Sequence, residues 1–142
     1  MSLADVGFGV SQALPVIVAL LIADPGQLVY VEQPELHLHP RAQVALAKLL
    51  ADAAKRGVRV VVETHSSLLL LGVQTLVAGG KLPPDLVALH WFERGEDGAT
   101  QVKSRDLDEF GAYGNWPQDF ADVELGTHQD YLGAVSKRRW GK

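Results

Sequence analysis

The sequence contains no cysteine, so the chain can form no disulfide bond, carry no thiolate nucleophile and build no cysteine-ligated zinc site. This absence fits a reducing interior. At 142 residues the chain has the length of one domain, and its 47% hydrophobic and 21% charged residues are typical of a globular protein. The composition therefore indicates a fold that is stabilised by a hydrophobic core.

Long hydrophobic runs and a strong excess of one charge are also missing. The apolar stretch at residues 14–23 has about ten residues, whereas a membrane helix needs roughly 20, and no basic leader precedes it. Seventeen acidic and 13 basic residues give a net charge of −4, which creates no overall attraction to nucleic acid or to a membrane. We expect a cytoplasmic protein without membrane contact. Its basic cluster, Lys137-Arg138-Arg139, is the place where nucleic acid could bind.

Helix and strand patterns alternate along the chain. Apolar spacing predicts helices over residues 12–23, 40–56 and 67–78, with Ser11 capping the first and Pro15 in its first turn. Pro40 is expected in the first turn of the second helix, and Ser66 or Ser67 is expected to cap the third. Short apolar runs predict buried parallel strands at 27–32 and 58–63. Residues 86–94 and 99–104 predict a hairpin. The order predicts an α/β fold, with mostly parallel strands flanked by helices and a C-terminal β-hairpin.

Two parallel strands are few for a sheet of this kind. Either the hairpin completes the sheet, or part of the natural domain is missing from this sequence. We expect residues 1–104 to form the core and residues 105–142 to form a small tail domain, because the tail is richer in Asp, Gly and aromatic residues.

Acidic residues and a histidine follow the two predicted parallel strands. The first strand ends in Glu32, and the second is followed by Thr64 and His65. Because the carboxyl ends of parallel strands meet at the ligand-binding edge of a sheet, these side chains are expected to lie together. Glu32 can hold Mg²⁺ beside a nucleotide phosphate, and His65 can donate a hydrogen bond to that phosphate.

Other residues extend this prediction. Gln33 and Glu35 can orient an attacking water, although an amide cannot accept its proton. Gly7, Gly9 and Ser11 precede or begin the first predicted helix, where backbone N–H groups favour an anion such as phosphate.

A metal-dependent hydrolase is an alternative prediction. Two histidines lie close to the first strand and could join nearby acids and the histidine after the second strand in one metal site. This set comprises Glu32, Glu35, His37, His39 and His65.

The order of these motifs resembles a known family. VSQALPV, VEQPELHLHP, VVVETHS and NWPQDF, within residues 6–120, resemble the C-terminal half of an ABC-type ATPase head. The similar proteins are predicted AAA-type ATPases related to SMC, RecF and overcoming-lysogeny-defect proteins, in the subfamily with a small C-terminal domain of unknown function. The resemblance implies a partial P-loop NTPase fold that uses ATP and Mg²⁺.

The resemblance also assigns roles to residues. It implies that Ser11 and Gln12 belong to the signature motif and reach the γ-phosphate that is bound by a partner subunit. Glu32 would be the Walker B acid on Mg²⁺, and His65 would be the switch histidine. Gln33 stands where many ABC ATPases have the catalytic Glu, and residues 36–39 would form the D-loop at a dimer interface.

Two departures from the family pattern matter. Gln33 puts general-base hydrolysis in doubt unless Glu35 or Glu63 replaces it. No Gly-x-x-x-x-Gly-Lys-Ser/Thr motif occurs in the sequence. The resemblance implies that this phosphate loop lies N-terminal to Met1, with several strands of the sheet. We therefore expect an ATPase portion that is inactive alone, forms a homodimer and lacks its N-terminal half, in a parent system that could act on nucleic acid. The alternative is a non-catalytic protein-interaction module.

Overall fold

The computed structural model describes residues 8–95 and 97–114 and confirms the predicted α/β fold. Its elements are α1 (Phe8–Ile22), β1 (Leu28–Glu32), α2 (Pro40–Lys55), β2 (Arg59–Glu63), α3 (Ser67–Ala78), a 3₁₀ turn (Pro84–Leu86), β3 (Ala88–Arg94) and β4 (Thr100–Asp106). The motif at residues 115–120 and the basic cluster at 137–139 lie outside the described residues. Within the described ranges, no helix is long and apolar enough to cross a membrane.

The strands form two separate pairs. β1 and β2 are parallel, with Leu28 beside Arg59 and Glu32 beside Glu63, whereas β3 and β4 form an antiparallel hairpin. Of the two alternatives, the one in which the hairpin completes the parallel sheet is therefore wrong for the described residues. The residue after β4, Leu107, packs instead in a second hydrophobic cluster with Val77 of α3 and Leu82.

The helices cover one face of the β1–β2 sheet. Val29, Val60 and Val62 pack against a core that contains Leu20 and Leu50. Side chains of successive strand residues point to opposite faces, so the other face is formed by the alternate residues. That face carries Leu28 (64% exposed), Tyr30 (55%) and Val61 (48%), so the two strands predicted to be buried are covered on one face only by the described residues.

Local sequence signals set the ends of α2 and α3. His39 precedes α2 and accepts a hydrogen bond from the Arg41 N–H at Nδ1 (3.3 Å), and Pro40 opens the helix. Gly57 follows α2 with a φ of 87°, a conformation that glycine adopts without steric cost. Ser66 caps α3 by accepting from the Leu69 N–H (3.0 Å), as predicted.

The first helix differs from the prediction. It begins at Phe8, so Ser11 lies inside it and is not its N-cap, and Pro15 lies in its interior. Gly9 lowers helix propensity but does not prevent helical backbone angles, which allows the extra turn. Pro15 removes one backbone hydrogen bond, and the burial of Leu20 against α2 helps to hold the helix in place.

Helices α2 and α3 approach closely at Gly72. A methyl group added at Gly72 would lie 2.8 Å from the Cβ of Ala47, which is fully buried. This spacing is shorter than side-chain carbons tolerate, so the helix pair depends on glycine at this position.

We expect Gly72→Ala to lower the free energy of unfolding by about 1–2 kcal/mol, because overpacking outweighs the gain in helix propensity. Urea denaturation of the purified chain measures this change. Thr75→Ala, on an exposed position of the same helix, is the matched control and should leave the midpoint nearly unchanged. A Gly72→Ala chain as stable as the control would contradict the packing argument.

Candidate functional site

A short loop at residues 33–39, here called the β1 loop, joins β1 to α2. The Gln33 N–H donates to the Glu63 carbonyl (2.7 Å), which extends the strand pairing by one residue. Two turns follow, closed by Leu36 N–H to the Gln33 carbonyl (3.1 Å) and by Leu38 N–H to the Glu35 carbonyl (2.9 Å). The loop therefore folds tightly against the end of β2.

Two non-glycine residues of the β1 loop have left-handed backbone conformations. Gln33 has a φ of 41° and His37 a φ of 65°. Each such residue costs on the order of 1 kcal/mol, so surrounding contacts must hold the loop in this shape. Backbone strain of this kind is concentrated at functional sites.

Glu35 makes a contact that holds this loop. Its side chain is only 7% exposed, and Oε1 accepts a hydrogen bond from the backbone N–H of His65 (3.1 Å). Oε2 is buried without a hydrogen-bond partner among the described residues. A buried carboxylate is costly, and this one links the loop after β1 to the residues after β2.

Gln43 makes a second link that the sequence did not reveal. Its Nε2 donates to the Leu38 carbonyl (3.0 Å), and its Oε1 accepts from the Ser66 hydroxyl (2.7 Å). Ser66 is also the cap of α3, so the amide joins the β1 loop, α2 and α3. A half-buried glutamine in a helix gives no sequence signal for a partner 23 positions away.

The exposed end of the sheet carries two acids and a tyrosine. The Tyr30 hydroxyl donates to Glu32 Oε1 (3.0 Å) and lies 3.3 Å from Glu63 Oε2. The hydroxyl has one proton, so it serves one acceptor at a time. The hydrogen bond to Glu32 and, to a smaller extent, desolvation and the two negative charges raise the pKa of Tyr30. Sequence reasoning missed Tyr30, although the alternation of strand residues places it on the same face as Glu32.

The other predicted residues occupy separate positions. Thr64 accepts the Ser66 N–H at Oγ1 (3.0 Å), and His65 is exposed beside it. Ser11 and Gln12 lie exposed on α1. Their predicted contact with a nucleotide on a partner subunit stays a prediction.

The predicted metal centre of two acids and three histidines does not form. Within residues 8–95 and 97–114, no three His, Cys, Asp or Glu side chains are grouped closely enough to hold a metal ion. His39 instead caps α2, and Glu35 is turned toward the His65 backbone. The alternative of a hydrolase built on this cluster is therefore not supported.

The neighbouring acids Glu32 and Glu63 suit magnesium better than the five-residue metal centre that was predicted. Glu32 and Glu63 offer adjacent carboxylate oxygens at the exposed end of the strands. Mg²⁺ prefers oxygen ligands and is commonly held by one or two carboxylates together with water and substrate phosphates. One carboxylate of this pair, that of Glu32, is enough to fit a magnesium ion that also binds phosphate.

We expect Tyr30→Phe to remove the titration of one phenol whose pKa lies above its ordinary value of 10.0. Because the folded-state pKa is raised, stability from this contact is present below pH ~10 and is lost as pH rises through the folded pKa. The difference between the absorbance titrations of the native chain and of Tyr30→Phe at 295 nm isolates this phenol from the other two tyrosines of the sequence. Urea denaturation gives the midpoints of the variant and of the native chain. The difference between these two midpoints should be smaller at pH 11 than at pH 8. A Tyr30 phenol that titrates at or below its ordinary value would contradict the hydrogen bond.

A comparison with protein families found a match over the first half of the chain. Residues 1–71 match a family described as "AAA domain, putative AbiEii toxin, Type IV TA system". A search of curated proteins and a search of solved structures gave no match. AAA domains have an ATPase-like, nucleotide-binding function, and the matched region includes β1, the β1 loop and β2. Since the match spans half of the 142 residues, the chain belongs to this family of AAA domains.

Proposed function

We propose that the chain is the C-terminal portion of an ABC-type ATPase, and that it supplies an acid and a histidine to a nucleotide site whose phosphate loop comes from another segment. The main support is the parallel pairing of β1 with β2, which aligns Glu32 with Glu63. The Glu35 contact brings His65 to the same end of the sheet. Acids and a hydrogen-bond donor at the carboxyl ends of strands suit phosphate chemistry.

Each residue has a role in this proposal. Glu32 is the Walker B acid that holds Mg²⁺, which neutralises phosphate charge when it is bound. His65, exposed at the end of β2, donates to the γ-phosphate, and Thr64 lies beside it. Ser11 and Gln12 act as the signature motif toward a nucleotide on a partner subunit.

Glu63 is the residue that we assign to accept the proton of the attacking water. Gln33 cannot accept a proton, and Glu35 is buried and engaged by the His65 N–H. Glu63 is exposed and adjacent to Glu32. In the proposed step the water oxygen bonds to the γ-phosphorus, its proton passes to the Glu63 carboxylate, and the bond to the bridging oxygen breaks to release ADP.

The phosphate loop is the part that the sequence lacks. Among the described residues, β1 and β2 pair only with each other, so each has an edge whose backbone groups can pair with another strand. We propose that the segment carrying the phosphate loop adds its strand at this sheet. Glu32 then faces bound phosphate only in the assembled site.

We expect the purified chain to bind ATP weakly and not to hydrolyse it. Titration with labelled ATP and Mg²⁺ measures binding, and micromolar affinity of the isolated chain would contradict this expectation. Addition of the N-terminal ATPase half in trans should produce hydrolysis. Glu32→Gln and Glu63→Gln should each lower that rate by roughly 100-fold or more. Glu109→Gln, at an exposed position outside the site, is the matched control.

A second function, self-association, is favoured by the uncovered sheet face. Leu28, Tyr30 and Val61 form an apolar strip, with Arg59 at one end and the two acids about 13 Å away at the other. Two copies packed face to face about a two-fold axis would place each Arg59 near the acids of the other copy. We propose that this face binds a second copy of the chain.

This dimer should be visible by light scattering at high protein concentration. Arg59→Glu should weaken it by repulsion from Glu32 and Glu63, and added salt should weaken the native dimer. Arg105→Glu, on an exposed position of the hairpin, is the matched control. A monomer at all concentrations would contradict self-association, whereas a dimer equally weakened by both variants would contradict this choice of face.

A further inference from the structure

Two side chains that lie between β1 and β2 in the sequence tie the β1 loop to the residues after β2. Glu35 reaches the His65 backbone, and Gln43 joins the Leu38 carbonyl to the Ser66 hydroxyl. Both contacts are at least partly buried, so water competes with them less than at the surface. The backbone at His65 is therefore held at two places, by the hydrogen bond of its own N–H and by the hydrogen bond of the neighbouring Ser66 hydroxyl.

We propose that Glu35 is a positioning residue: its buried carboxylate fixes the backbone of His65 and ties the dimer-facing part of the β1 loop to the imidazole at the end of β2. Glu35 does not touch nucleotide in this role, because its Oε1 is engaged by the His65 N–H. The functional meaning rests on the proposed role of His65 at phosphate. The contact itself does not depend on that role.

Three observations support this assignment over a purely space-filling one. Glu35 is a charged residue that is 93% buried, and such residues are almost never fully buried without a partner. Its partner is a backbone N–H that no helix or strand bond uses, and a carboxylate forms a strong hydrogen bond to such a donor. The loop that carries it is strained at Gln33 and His37, so a strong tether is needed to maintain its shape.

The contact also gives a route from the interface to the site. Leu36 is half exposed and lies directly after Glu35, in the part of the loop that the proposed function places at a dimer interface. A partner that shifts Leu36 and His37 would move the Glu35 carboxylate, and with it the His65 backbone. The loop and the histidine would then respond together to assembly.

Amide hydrogen exchange and NMR of the ¹⁵N-labelled chain test this proposal without nucleotide. Glu35→Ala should speed exchange of the His65 amide by at least about tenfold, because a hydrogen bond to a charged acceptor is lost. The Val60 amide in the core should not change. Glu35→Gln keeps a carbonyl acceptor, so it should restore most of the protection and move the His65 amide proton upfield. Glu109→Ala is the matched control.

The outcomes separate the possibilities. Equal His65 exchange in Glu35→Ala and Glu109→Ala would overturn the proposal. If Glu35→Ala does not fold, Glu35→Gln decides, and an unchanged His65 amide shift in that variant would overturn it. Gln43→Ala should expose the Leu69 amide through loss of the Ser66 anchor while most of the His65 protection remains. Absence of ATP binding in any assembly would contradict the proposed function and leave the exchange result standing.

Discussion

The parallel pairing of β1 with β2 is the constraint on which the rest of the site depends. It aligns Glu32 with Glu63 and delivers both connecting loops to one end of the sheet. Parallel strands need a long crossover, and α2 supplies it while covering the inner sheet face. A shift in register by one residue would turn the acids toward the core and the core valines toward the exposed face. Burial of the valines therefore fixes the register, and with it the positions of the acids.

The tight contact between α2 and α3 supports this arrangement. Both helices begin next to the site, directly after their caps His39 and Ser66, and they approach closely where Gly72 meets Ala47. Gln43 connects their N-terminal ends through Ser66. The site is therefore held by rigid elements, and its strained loop is anchored on both sides.

The sequence predicted the features that depend on nearby residues. The starts of α2 and α3 and the strand ends followed from Pro40, Ser66 and Glu32, because caps and apolar runs act over a few positions. The predicted start of α1 was wrong, because a glycine near a helix end lowers helix propensity but does not prevent helical backbone angles. The Glu35 and Gln43 contacts join residues 30 and 23 positions apart, and neither pattern nor spacing encodes such pairs.

The single proton of Tyr30 gives the chain an internal optical indicator of its acidic end. The phenol is held in its neutral form partly because Glu32 accepts its hydrogen bond. A cation that binds Glu32 would withdraw that acceptor and cancel its negative charge, so the phenol would ionise at lower pH. The part of the native absorbance change at 295 nm that Tyr30→Phe removes would then report occupancy of the site, without an attached dye and without turnover.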